Sequence, residues 1–324
     1  MKTRALGATG FRSSEIGFGA WAIGGNFWGG ADDSVSRAAL LTALDRGVTL
    51  LDTALVYGDG RSERLVGEAV RQHGERDRLC IATKVPPKNL RWPATPDTPL
   101  AEAFPAAHLR ASVERSLRHL RTEPIDLLQL HVWAEQWLDE PEWHETLSAL
   151  RRQGKIRWLG VSLNDHQPAT GVALVRSGLV DAVQVIFNLF DQSPLDQLLP
   201  ACMEAKVGVL ARVPFDEGSL TGKLSPTTSF APGDFRARYF RKERLNQTVE
   251  RVDKLRAALA PYDGDLARAA LRFCLSHPAV SSVIPGTRTS AQAVANTAAS
   301  EVGPLPPELL ATLAAHRWER NFYA

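Results

Sequence analysis

The sequence has almost no cysteine. Cys80, Cys202 and Cys274 are the only three in 324 residues. They are far apart, each in an apolar stretch, with no CxxC spacing, which argues against a disulfide framework or a redox pair and leaves three reduced core thiols. Nor is one sign of charge in excess. The 38 Lys and Arg and 36 Asp and Glu are interspersed and give a net charge of +2. No basic stripe results, so nucleic acid is not an expected partner. Long hydrophobic runs are missing too. Nothing approaches the ~18 uninterrupted apolar residues of a membrane span, and the opening MKTRALGATGF has no apolar signal core. The expectation is a cytoplasmic chain with no membrane partner. There is no P-loop, no HExxH, no GxSxG elbow and no His/Cys cluster at metal spacing, so no metal site is expected.

What is present is apolar periodicity. With 44% hydrophobic residues the chain can bury a large core, in one large domain or two small ones. Lys2 to Leu6 and Arg12 to Ile16 flank a turn-like Gly-Ala-Thr-Gly and predict an N-terminal β-hairpin within residues 1–16. Strand patterns then fall at 16–20, 49–52, 79–84, 125–131, 156–162, 182–186, 207–212 and 280–284. Helical patterns follow at 34–45, from Ser62 onward, and at 105–120, 143–153, 168–177, 198–205, 245–259 with 265–275, and 291–298. The first helix places Val35, Ala38, Leu41 and Leu44 on one face. The second is expected to be capped by the Ser62 hydroxyl, with Leu65, Val66 and Ala69 inward.

Eight strand-helix units with no linker between halves fit an α/β fold, a single (β/α)8 TIM barrel over residues 1–324, better than an open doubly wound sheet. Residues 86–105, 132–143 and 214–245 are too long for simple connections. Each follows a strand, and so belongs to the C-terminal face where barrel enzymes carry their chemistry.

Four reactive side chains lie at or just after three successive strand ends: Asp52, Tyr57, Lys84 and His131. Taken singly, each has an ordinary explanation as a cap, a solvated group or a packed core residue. Together they suit carbonyl reduction, which leaves an alkoxide that must be protonated. Tyr57 is the natural acid. Lys84 would lower its pKa, since unit charges ~4 Å apart at an effective dielectric of ~20 interact by ~4 kcal/mol, roughly three pKa units. Asp52 would keep Lys84 protonated, and a neutral His131 would orient the carbonyl. Gly17, Gly19 and Ala22 fit a GxGxxA dinucleotide fingerprint, but Gly24, Gly25, Gly29 and Gly30 follow where that fingerprint requires a helix, so a Rossmann unit is rejected.

These residues resemble the aldo-keto reductases. LDTALVYGDGRSERLVGEAV at 51–70, IATKV around Lys84 and DLLQLHVW around His131 look like the second, third and fourth strand motifs of that family. The likeness runs from GFGAW at 17–21 to VIPGTR at 283–288. The resemblance implies a barrel that binds NADP(H) without a Rossmann fold and acts on an aldehyde, a ketone or the corresponding alcohol. Asp52, Tyr57, Lys84 and His131 would be its catalytic tetrad.

Residue by residue, it also assigns a cofactor site. Gly19, Ala20 and Trp21 would lie near the nicotinamide ribose, with Asp52 beside them. Ser162, Asn164 and Gln184 would hold the carboxamide. Arg212 stands where the family commonly has a stacking Tyr, and a guanidinium can also cover a flat ring. Val213, Pro214, Phe215, Gly218, Leu220, Thr221, Gly222 and Lys223 would take the pyrophosphate. Ile284, Pro285, Gly286, Thr287, Arg288, Gln292 and Asn296 would take the adenosine end, Arg288 facing a 2′-phosphate.

Gly286 and Ala295 stand where the family often has Lys and Glu, which keeps NAD(H) open as the alternative cofactor. Phe27, Trp28, Trp133, Trp137 and Phe215 would wall the substrate pocket. A second reading is a cofactor-binding regulatory subunit of low turnover, like the potassium-channel β-subunits that share this resemblance. Nothing in the sequence speaks to oligomeric state.

Overall fold

A computed structural model describes residues 1–241, 243–262 and 264–323. Among the described residues, ten strands form two sheets. β1 (Thr3–Ala5) and β2 (Arg12–Ser14) make the antiparallel hairpin expected at the N-terminus. The other eight are β3 (Phe18–Gly19), β4 (Leu50–Asp52), β5 (Cys80–Val85), β6 (Ile125–Leu130), β7 (Ile156–Ser162), β8 (Ala182–Ile186), β9 (Gly208–Arg212) and β10 (Val280–Val283). They pair in chain order and are all parallel.

Parallel bridges Ile16 to Val283 and Gly19 to Gly286 join the two ends, so the sheet closes into the (β/α)8 barrel. The seam depends on Gly19, where a Cβ would sit 2.8 Å from the Ile284 carbonyl oxygen and 2.9 Å from that of Pro285. The glycines at 17 and 19 therefore serve strand closure. After them comes only the short 3-10 turn Ala22–Gly24, with no helix until Asp33, as the rejection of a Rossmann unit requires.

Helices follow the strands in the expected rhythm: Asp33–Asp45, Arg61–His73, Ala106–Leu120, Glu142–Arg152, Val172–Ser177, Leu198–Ala205, the pair Glu243–Leu259 and Leu266–Leu275, and Ser290–Val302. Pro307–Ala314, which the periodicity did not single out, packs beside Glu243–Leu259.

Two local expectations are corrected. Val35 and Ala38 are exposed, and Ser36, Ala39, Leu40 and Ala43 face inward instead. Three of these are small, which lets this helix approach its neighbour Ser290–Val302 closely, a preference that a search for large apolar residues overlooks. Ser62 lies inside its helix, whose N-cap is Gly60. Its hydroxyl donates to the Ala20 carbonyl at 2.8 Å and bonds Thr53 Oγ1 at 2.8 Å, tying the helix to the strand ends behind Asp52.

Strand side chains alternate between the helix layer and the barrel interior. The interior floor is Leu6, Leu50, Cys80, Ala82, Leu127, Ala182, Leu210 and Ile284, with Leu6 brought in by the hairpin as a plug. All three cysteines are unpaired and buried. Two residues above Leu50, Ala82, Ala182 and Leu210, on the same inward face, stand Asp52, Lys84, Gln184 and Arg212. The apolar floor thus gives way, at the C-terminal ends, to a polar ceiling.

Candidate active site

Lys84 is fully buried and central to that ceiling. Its Nζ donates to both Asp52 carboxylate oxygens, at 2.9 and 2.7 Å, and to the Thr53 carbonyl at 2.8 Å. It lies 3.5 Å from the Tyr57 hydroxyl. Gln184 donates its amide to Asp52 Oδ1 at 2.7 Å. The His131 ring meets the Tyr57 ring edge-on, with centroids 5.8 Å apart. The four strand-end residues therefore form one cluster: Asp52, Tyr57 and His131 line a cleft of about 990 Å³, at the upper end of the roughly 300–1,000 Å³ of ligand pockets, and Lys84 is buried behind them.

The electrostatics revise one expectation. Burial, then the Asp52 carboxylate, push the Tyr57 phenol well above its ordinary value. Lys84 does not act as a free cation beside it. Its charge is neutralised at contact distance by Asp52, so the phenol faces an ion pair, and desolvation wins. Tyr57 holds its proton. Burial pulls the Lys84 ammonium below the usual lysine value, and Asp52 opposes that shift. Burial, then Lys84 and Arg212, push His131 well below the imidazole range, so its ring is neutral. Its buried Nδ1 has no partner. An N–H without an acceptor is the rarer buried orphan, which places the proton on Nε2 of a ring lining the cleft.

Ser162 and Gln184 line the cleft beside the cluster, as do Gly19, Trp21, Val213, Pro214, Phe215, Gly218, Thr221, Lys223, Ile284, Gly286, Gln292 and Asn296. Asn164 also reaches the wall, but its Nδ2 donates to Ala94 O, Trp133 O and Gln167 Oε1, binding three loops together. Arg212 lines the cleft with one face. Its Nη2 donates to Asp165 at 2.6 Å and to the Leu163 carbonyl at 3.0 Å. Arg288 reaches over to the Trp28 and Gly30 carbonyls at 3.2 and 2.6 Å. Ala20, Leu220, Gly222, Pro285 and Thr287 belong to the same segments but do not line the cleft. Thr287 accepts the Asn296 amide at 3.0 Å and so supports the wall from behind.

The aromatic wall also differs from expectation. Trp133 and Trp137 are fully buried away from the cleft. Trp133 packs edge-on against Trp137 and Trp143, and its indole donates to Thr170 O at 3.1 Å. The buried face between loops and helices accepts a tryptophan as readily as a pocket does. Phe27, Trp28 and Phe215 do line the cleft. They are joined by nearby Trp21 and, from segments distant in sequence, by Trp92, Phe235, Phe322 and Tyr323.

Residues 15–317 match the Aldo/keto reductase family. This chain belongs to that family. It is 33% identical to "Aldo-keto reductase YhdN" of Bacillus subtilis over 296 residues, covering 90% of this chain and 86% of that one. It is 27% identical to "NADH-specific methylglyoxal reductase" of Escherichia coli, covering 93% and 94%. The solved "aldo-keto reductase AKR11C1 from Bacillus halodurans (holo form)" superposes with a TM-score of 0.77 at 26% identity over 100% of both chains. Aldo-keto reductases are oxidoreductases that use nicotinamide cofactors and act on small carbonyl compounds. Among the described residues, no helix is long and apolar enough to cross a membrane.

Because the Asp52 carboxylate pairs with the buried Lys84 at contact distance, Asp52→Asn is expected to destabilise the fold by about 3–5 kcal/mol in urea unfolding. Asp52→Asn/Lys84→Met should recover much of that loss. A double variant no more stable than the single one would show that the pair is not held by mutual charge.

Proposed function

We propose that the protein transfers hydride between NADP(H) and an aldehyde or ketone, or runs the reverse oxidation, with Tyr57 as proton donor and Asp52, Lys84 and His131 completing the tetrad. The observation that carries this reading is Lys84 Nζ held between the Asp52 carboxylate and the Tyr57 hydroxyl, two groups that line the cleft. The residues fit a nicotinamide dinucleotide. Ser162 and Gln184 offer hydrogen-bonding groups for a carboxamide, the cleft face of Arg212 offers a flat cation for a ring, and Lys223 and Arg288 offer charge for phosphates. Bound there in reduced form, the cofactor supplies the hydride for the carbonyl carbon.

The chain does the rest. A neutral His131 donates from Nε2 to the carbonyl oxygen and fixes its orientation. Tyr57 gives its proton to the same oxygen as negative charge develops there. A phenol held protonated is ready for that step, since an alkoxide is far more basic than any phenolate. Trp21, Trp28 and Phe235, mutually packed at ring separations of 5.1 to 5.3 Å, exclude water from the approach. The three unpaired, buried cysteines support a cytoplasmic, reducing setting.

Tyr57→Phe is expected to lower reduction of an aldehyde panel by ~10²-fold or more in stopped-flow oxidation of bound NADPH, with cofactor binding retained. Undiminished turnover would remove Tyr57 from the mechanism. A wild-type protein that binds NADPH but turns over none of the panel would favour the regulatory-subunit reading. Arg288 favours NADP(H) over NAD(H). Arg288→Ala should raise the KM for NADPH roughly tenfold and leave that for NADH unchanged. Equal effects on both would assign Arg288 to the loop it clasps instead.

A further inference from the structure

After β9 the backbone makes an unusual turn. Val213, Asp216 and Glu217 adopt φ of 54°, 46° and 56°, in the left-handed region that non-glycine residues rarely occupy. Such conformations persist where the surroundings impose them. At Asp216 and Glu217 that is segment 317–323, far away in sequence. Arg320 pairs with Asp216, and both are nearly buried. The Tyr323 hydroxyl donates to Glu217 Oε1. The segment is moored by Trp318 N to the Phe190 carbonyl at 2.9 Å and by Arg244 to the Phe322 carbonyl at 2.8 Å. Glu217 and Tyr323 both line the cleft, and Glu217 is only 4% exposed.

We propose that Tyr323 and Arg320 are positioning residues for the cofactor: by gripping Glu217 and Asp216 they hold the 213–218 turn against the cleft, and the Glu217 carboxyl takes up a proton from solvent when the pyrophosphate binds. This rests on the cofactor reading above. The groups facing Glu217 are Tyr323, Asp216, Asp165 and Arg212, with Tyr57 and Tyr239 also within its field. Burial raises its value most, and the Asp216 and Asp165 carboxylates add to that. The Glu217 carboxyl is pushed up to about 8, with Tyr323 and Arg212 opposing.

The three phenols are pushed well above their ordinary value, and Arg212 stays charged, so none of them titrates between about pH 7 and 9. A bound anion in the same cleft raises the Glu217 value further. The complex then carries more protons than the free protein, and affinity falls as pH rises through about 8.

Calorimetric titration of the whole chain with NADPH, from about pH 7 to 9.5 in buffers of different ionisation heat, tests this. Wild type should take up a fraction of a proton near about pH 8 and bind more weakly above it. Glu217→Gln, whose amide oxygen still accepts from Tyr323, should lose both the uptake and the slope. Lys84, whose value is displaced downward, is left in place by that change and would preserve them if it were the source. Tyr323→Phe should weaken binding at pH 7 roughly fivefold to tenfold. The proposal is overturned if Glu217→Gln keeps the wild-type uptake and slope, or if folded Tyr323→Phe binds as wild type does. If Tyr323→Phe does not fold, the Glu217→Gln arm decides. A wild-type protein that binds neither NADPH nor NADH would instead overturn the cofactor reading itself, and this proposal with it.

Discussion

A positive charge buried at the mouth of a β-barrel governs this site. An ammonium stripped of water is tolerated only if an opposite charge and further acceptors replace the lost hydration. Asp52 and the Thr53 carbonyl do so for Lys84, and Gln184 holds Asp52 in turn. The pair comes from adjacent strands, β4 and β5, whose register sets Asp52 opposite Ala82, two residues before Lys84 on the same inward face. Tyr57 and His131 are arranged around that pair. The phenol meets an ammonium already neutralised by its carboxylate, keeps its proton, and still lies within reach of it. The imidazole, desolvated and repelled by Lys84 and Arg212, is neutral. The phenol thus keeps its proton and the imidazole stays neutral, in two rings whose centroids lie 5.8 Å apart.

Around this rigid centre the walls come from longer segments. Helix Arg61–His73 is tied to the strand ends through Ser62, and Asn164 binds together the loops that follow β5, β6 and β7. The far wall, from Arg212 to Gly218, is strained in its backbone and braced by ion pairs and a phenol. The barrel therefore fixes the Asp52–Lys84 cluster, while the far wall of the cleft depends on contacts that the barrel does not itself make.

This division explains what could be read from the sequence. Strands such as 125–130 and 182–186 are short runs dominated by apolar residues because both faces are buried, and their ends marked Asp52, Lys84 and His131 directly. The barrel and the cluster follow from that local pattern. Packing partners do not. Ser36, Ala39 and Ala43 face inward because they are small, which periodicity of large apolar residues cannot register. Trp133 and Trp92 look alike in a sequence, yet one packs on Trp137 and Trp143 and the other faces the cleft. The contact of Tyr323 with Glu217 spans 106 residues, and the acidity of Tyr57 depends first on its burial and then on Asp52. Neither carries a local signal.

The state of the Tyr57 phenol is the most direct measure of this account. Titrating the ring-carbon NMR signals of the four tyrosines, with the Tyr57 signal identified by its loss in Tyr57→Phe, should show that phenol remaining protonated past about pH 10. A Tyr57 phenolate forming near neutral pH would mean that Lys84 acts as an unpaired cation, and would contradict the buried ion pair on which the site is built.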